Sequence, residues 1–245
     1  MKSVLAMIVV GLTPRHLGDL TPRLSALARE GAMAPLRTLT PAVTCSVQAS
    51  FMTGLTPREH GIVANGWLFR DLMEVMLWRQ SNRLVEGEKV WDAGKRRDPA
   101  FTCANMFWWY NMASSHDFGA TPRPICKAGG SKLPDCYTVP DSLRDRLTER
   151  LGPFPLFQFW GPATTIASTR WIADATKMVM AENNPTLVRD SHGRIIDDSR
   201  DGPLVICDRS DLLRQQESDG YRREVAFAGC GFQIAAPVGA ADMEI

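Results

Sequence analysis

The run Ser3-Val-Leu-Ala-Met-Ile-Val-Val-Gly-Leu12 is apolar, rich in β-branched residues and short, and it enters Gly11 as the buried first strand of a parallel sheet would. Thr21-Pro22 then supplies an N-cap and a proline at the first helical position, and Leu24, Leu27 and Ala28 recur at helical spacing up to a stop at Gly31. Strand, loop and helix in that order open an α/β fold, because parallel neighbours must be joined by a crossover.

The alternation continues. Met33 to Leu39 reads as a second strand, and Pro41-Ala-Val-Thr44 turns into the apolar segment Ser46 to Met52, closed by Thr53-Gly54. That places Thr44 at a helix entrance. Glu86 to Arg97 reads as a helix, Phe101 to Trp109 as a buried strand, and Asp141 to Leu151 as an amphipathic helix with Leu143, Leu147 and Leu151 on one face. Between the last two, the Pro/Gly-rich stretch Ala120 to Pro140 predicts a long surface excursion. Composition shifts near Asn183, which divides the chain into residues 1–187 and a charged, then Gly/Ala-rich tail of unknown role, 188–245. In that tail only Pro203 to Cys207 reads as a strand, and no internal repeat is visible.

With 245 residues and 44% apolar content the chain can bury a core as a single domain. Its 28 basic and 27 acidic residues give no positive field for nucleic acid. No run approaches the roughly 20 apolar residues that span a bilayer. One positive charge followed by a short apolar stretch at Met1 to Leu12 also fits a secretory signal, but no small-residue cleavage pattern follows, so the expectation is a soluble cytoplasmic protein. Six cysteines lie scattered without a C-x-x-C pair and read as reduced thiols; Cys126, Cys136 and His116 match no usual zinc spacing.

The segment that carries chemistry is Pro41-Ala-Val-Thr44-Cys-Ser-Val-Gln-Ala-Ser-Phe-Met-Thr53-Gly54-Leu-Thr-Pro57-Arg-Glu-His60-Gly61-Ile-Val-Ala-Asn65. A hydroxyl at a helix N-terminus lies where backbone N–H groups and the positive end of the dipole favour a phosphate. Taken singly, a threonine there is most often an N-cap, and Asn65-Gly66 most often a turn. His60 reads as a packing or turn-bonding residue. The joint spacing is what stands out: a threonine nine residues before Thr-Gly, then Pro-x-x-His-Gly, then asparagine.

In that spacing the segment resembles the nucleophile region of the type I phosphodiesterase/nucleotide pyrophosphatase group of the alkaline phosphatase superfamily. Trp67-Leu-Phe-Arg-Asp71, Phe107-Trp-Trp-Tyr-Asn-Met112 and Arg170-Trp-Ile-Ala-Asp174 extend the likeness over residues 1–187. The resemblance implies an alkaline-phosphatase-like, mostly parallel sheet flanked by helices, truncated relative to the group. It implies Thr44 as nucleophile and metal-bridging oxygen, and Asn65 as the residue stabilising charge on the phosphoryl oxygen, together with the N–H groups that follow Thr44. It further implies two divalent metal ions, commonly zinc, a phospho-threonine intermediate, and a small phosphate-ester or nucleotide substrate. Trp67 and Phe69 stand where a ring could stack.

Two departures oppose a complete enzyme. Ile8-Val9-Val10-Gly11 stands where the group places a metal-binding aspartate, and no strand carrying an Asp and a His is visible after Leu187. Asp190, His192, Asp197, Asp198 and Asp201 could ligate a metal by type, but read as a solvated charged loop. Three readings stay open: a metal-dependent hydrolase of phosphate esters or pyrophosphate bonds, an inactive relative keeping only an anion-binding half-site, and an unrelated α/β binding domain. A sheet lacking its later strands would leave apolar surface exposed and favour a homo-oligomer.

Overall fold

The computed structural model describes residues 3–9, 12–34, 36, 39–160, 163–192, 223–229 and 232–238. In chain order the elements are β1 (Val4–Val9), α1 (Pro22–Glu30), β2 (Ala32–Ala34), α2 (Thr44–Thr53), α3 (Pro57–His60), β3 (Gly66–Phe69), β4 (Glu74–Leu77), α4 (Val90–Arg97) and β5 (Cys103–Met106). They continue as β6 (Phe118–Pro122), β7 (Ile125–Cys126), β8 (Lys132–Leu133), β9 (Cys136–Val139), α5 (Ser142–Leu151), α6 (Ile166–Asn183), β10 (Leu187–His192), β11 (Arg223–Gly229) and β12 (Phe232–Val238).

Eight strands form one sheet in the order β2-β12-β11-β1-β10-β5-β6-β9. Strands β11, β1, β10, β5 and β6 run parallel, while β12 and β9 are antiparallel to their neighbours. Period-2 alternation sends successive β5 side chains to opposite faces. Ala104 and Met106 pack with Ile172, Ala175 and Val179 of α6, whereas Cys103 packs with Cys45, Ala49 and Met52 of α2 and Trp91 of α4. Helices thus cover both faces, as a mostly parallel sheet requires.

Several expectations are corrected. The strand expected over Phe101 to Trp109 ends at Met106, because Phe107 and Tyr110 take φ of +58° and +60° and fold the aromatic run into a buried loop at the strand's C-terminal end. The excursion from Ala120 to Pro140 contains β9 and most of β6, whose Ala120 and Thr121 are fully buried. The first part of the charged stretch, with Asp190 and His192, is a strand and not a loop: Leu187 to His192 is β10, hydrogen-bonded between β1 and β5, while Asp197, Asp198 and Asp201 lie outside the described residues. So a strand bearing an Asp and a His does follow Leu187, and burial between two neighbours overrides its polar composition. Two stretches of the aperiodic tail are β11 and β12, so the sheet continues across residue 187. Pro203 to Cys207 lies outside the described residues. No helix among the described residues is long and apolar enough to cross a membrane.

Candidate active site

The C-terminal ends of β5 and β10 meet the N-terminal half of α2. Val43 is extended (φ −116°, ψ 157°) and Thr44 is the first helical residue, half-buried, followed by the buried run Cys45 to Ala49. The hydroxyl of Ser46 donates to the carbonyls of Pro41 and Val43, each at 3.2 Å, tying the entry turn to the helix it starts. At the other end Gly54 adopts the left-handed conformation (φ +71°), a C-cap that only glycine takes without strain.

Asn65 is brought to this turn. Its Oδ1 accepts the backbone N–H of Cys45 at 2.9 Å, so Asn65 and Thr44 stand at the same helix N-terminus although 21 positions apart in the chain. This changes the expectation that every N–H after Thr44 faces an anion: the first of them is taken by Asn65. With its carbonyl fixed on the helix, the Asn65 amide presents its NH2 as the donor, and accepting a bond polarises that group. The backbone of Asn65 is fixed as well, its carbonyl accepting the Trp78 N–H at 2.8 Å across the base of the β3–β4 hairpin. A side chain at the next residue, Gly66, would meet Leu77 at 2.4 Å and the Met76 carbonyl at 2.9 Å, so the hairpin closes only on glycine.

His60 is fully buried, as the sequence reading places it, with its Nδ1 accepting the Ile62 N–H at 3.1 Å and its Nε2 against the Ser50 hydroxyl at 2.9 Å. The proton therefore sits on Nε2. Burial holds its pKa below the ordinary histidine value, which suits a neutral structural ring. The neighbouring Cys45 thiol is pushed up to about 12 by burial and is not a competing nucleophile.

Residues that the linear reading missed complete the setting. Gln48 is buried one turn after Thr44 in an otherwise small or apolar helix face; its Oε1 accepts the Trp109 N–H at 2.6 Å and its Nε2 donates to the Ser191 hydroxyl at 3.2 Å. Tyr110 packs with Cys45 in one buried cluster. Trp109 lies against Trp78 and Trp160 at 5.3 and 6.4 Å. The two rings that the sequence did single out, Trp67 and Phe69, stack on each other at 5.1 Å.

Among the described residues the donor set does not fit two metal ions. Among the described residues no group of three or more His, Cys, Asp or Glu side chains is arranged to hold one. Asp190 is buried and alternates with Ser191 along β10, so it does not share the face that Ser191 turns to Gln48. Asp197, Asp198 and Asp201 lie outside the described residues, as does the side chain of His192.

A family model described as type I phosphodiesterase / nucleotide pyrophosphatase matches residues 4–195. No curated protein matches. Among solved structures, phosphonoacetate hydrolase from Sinorhizobium meliloti 1021 in complex with phosphonoacetate aligns at 14% identity and a TM-score of 0.53, over 78% of this chain and 45% of that one. Its complex with phosphonoformate gives 15% and 0.52 over the same shares. A murine ectonucleotide pyrophosphatase / phosphodiesterase 5 aligns at 15% identity and a TM-score of 0.41, over 85% of this chain and 59% of that one. The first two share the fold. This chain spans less than half the length of the phosphonoacetate hydrolase.

Proposed function

The chain belongs to the type I phosphodiesterase / nucleotide pyrophosphatase family, and from that premise we propose that it hydrolyses small phosphate esters or nucleotide pyrophosphate bonds through Thr44. The observation that carries the reading is the Asn65–Cys45 bond, which brings an amide donor to the helix turn that begins with a hydroxyl. In the proposed step the Thr44 oxygen attacks phosphorus and the P–O bond to the leaving group breaks. The leaving group departs with the proton released by Thr44, and water then cleaves the phospho-threonine. Asn65 donates to the phosphoryl oxygen on which charge accumulates, a contribution of about 3–4 kcal/mol for one well-placed donor. A threonine hydroxyl is a weak nucleophile at neutral pH. In the family divalent metals, commonly zinc, would supply such activation; the described residues do not assemble a site for them, and no step here runs through a metal.

That same observation favours a second reading, in which the chain keeps the anion-binding half-site without turnover. Zinc content and hydrolysis of a nitrophenyl phosphodiester, measured on the natural chain and on Thr44→Ala, separate the two. Turnover that disappears in Thr44→Ala supports the hydrolase. A metal-free chain that binds phosphate at a Thr44-dependent site without turnover supports the half-site. We extend the proposal to self-association through the apolar β3–β4 hairpin and to a cytoplasmic location, where the thiols of Cys45, Cys103, Cys126 and Cys136 stay free; cell fractionation checks the latter.

A further inference from the structure

We propose that Gln48 is a positioning residue for the Thr44 hydroxyl, an inference that rests on the reading of Thr44 as nucleophile. Thr44 sits on the first turn of α2, and where its oxygen points depends on how that helix is seated on the strand ends. Residues i and i+4 of a helix share one face, so Gln48 lies directly beneath Thr44. Its side chain is 3% exposed and makes both of its bonds to other elements rather than to its own helix. The carbonyl oxygen takes the Trp109 N–H from the loop after β5, at 2.6 Å, and the NH2 group reaches Ser191 near the end of β10, at 3.2 Å.

The two anchors are themselves held. The Trp109 indole N–H donates to the Arg79 carbonyl at 2.8 Å, and the loop is bent into place by Phe107 and Tyr110 at positive φ. Ser191 is fixed in register opposite Ile8 of β1. One amide therefore locks the rotation and height of the α2 entry turn against two of the sheet's central strands. Asn65 fixes the same turn from above through Cys45. An apolar side chain of equal length would fill the space and keep the fold, yet leave the Trp109 N–H buried without an acceptor and the helix free to rotate.

A phosphate anion tolerates small shifts of the helix, because it is held by diffuse charge and N–H groups. In-line attack does not, since displacing a reacting group by about 1 Å can cost on the order of a hundredfold. Orthovanadate, which takes the geometry of the attacked phosphoryl group when a hydroxyl reaches it, reports the difference without turnover.

The test compares the full chain with Gln48→Met and Thr44→Ala, measuring binding of inorganic phosphate and of orthovanadate by tryptophan fluorescence, alongside kcat and KM for a nitrophenyl phosphodiester. In Gln48→Met phosphate binding and KM should stay within about twofold, while vanadate affinity and kcat fall by at least about tenfold. A merely structural residue would move both anions together or neither. Unchanged preference for vanadate over phosphate in Gln48→Met overturns the positioning role alone. If Thr44→Ala leaves vanadate preference and turnover as they are in the natural chain, the nucleophile reading fails and this inference falls with it. Should Gln48→Met not fold, Ser191→Ala, which removes one anchor and keeps the other, must show the same split at smaller amplitude; phosphate and vanadate weakened equally in it overturns the proposal.

Discussion

At the residue scale the candidate site was legible where its chemistry is spaced along the chain and illegible where it is assembled across it. Thr44, Thr53-Gly54, Pro57 to Gly61 and Asn65 fall within 22 consecutive positions, so their order alone carries a signal. Gln48 bonds partners 61 and 143 positions away, Trp109 and Ser191, and nothing in a local window announces either pairing. Asn65 performs two separable tasks, accepting from Cys45 and offering its NH2 to an anion, and two substitutions pull them apart. Asn65→Asp keeps an acceptor for the Cys45 N–H but sets a negative charge where the phosphoryl oxygen would lie. Its melting temperature should stay near that of the natural chain while turnover falls by about 10² to 10³. Asn65→Ala should lose both, with a comparable fall in turnover and about 1–3 kcal/mol of stability from the unpaired N–H. Equal stability losses in the two variants, read from urea midpoints, would show that the Cys45 bond is not the structural tie.

At the element scale, β10 explains why the sequence misled. Leu187-Val-Arg-Asp-Ser-His192 is a poor strand by composition, yet it pairs in parallel with β1 through six registered positions and with β5 through four. The cost of that placement falls on Arg189. It is 3% exposed, its guanidinium lies 3.5 Å from the Trp108 ring centroid, and neither terminal nitrogen has a hydrogen-bond partner among the described residues. Burial depresses its pKa to about 9. The cation–π contact offsets part of the desolvation, about 2 kcal/mol when the pair is out of water. A buried charge without hydrogen bonds costs several. Arg189→Met, which keeps the length of the stem, should therefore stabilise the chain by roughly 1–4 kcal/mol. Ile172→Ala, on the opposite face of the sheet in a fully buried position of α6, should cost about 2–5 kcal/mol. Urea midpoints at unchanged m-value measure both. A destabilised Arg189→Met would show that the buried guanidinium contributes more to the fold than its desolvation costs.

At the scale of the whole molecule, the alternating periods gave away the α/β class because a parallel sheet needs a crossover between strands. The full strand order was not legible, since β11 and β12 lie far along the chain from the strands they join, β1 and β2. Nor did the spacing of apolar residues show which surface the molecule leaves uncovered. Among the described residues one such surface is the β3–β4 hairpin, where Leu68, Leu72, Met73, Val75, Leu77 and Trp78 are 45–77% exposed within a single ribbon that pairs with no other described strand. Single exposed apolar residues are ordinary, but a contiguous patch drives association. A two-stranded ribbon is also marginal by itself and gains from added strands. Sedimentation over a range of concentrations should therefore show association of the natural chain. The double variant Leu72→Glu with Met73→Asn, in which asparagine tolerates the φ of +49° at that turn, should sediment as a monomer with the same far-UV circular dichroism. A natural chain that stays monomeric throughout would remove the proposal of self-association. Association that persists undiminished in the variant would move it from the hairpin to the edges of the main sheet at β2 and β9, the two of its strands that have a neighbour on one side only among the described residues.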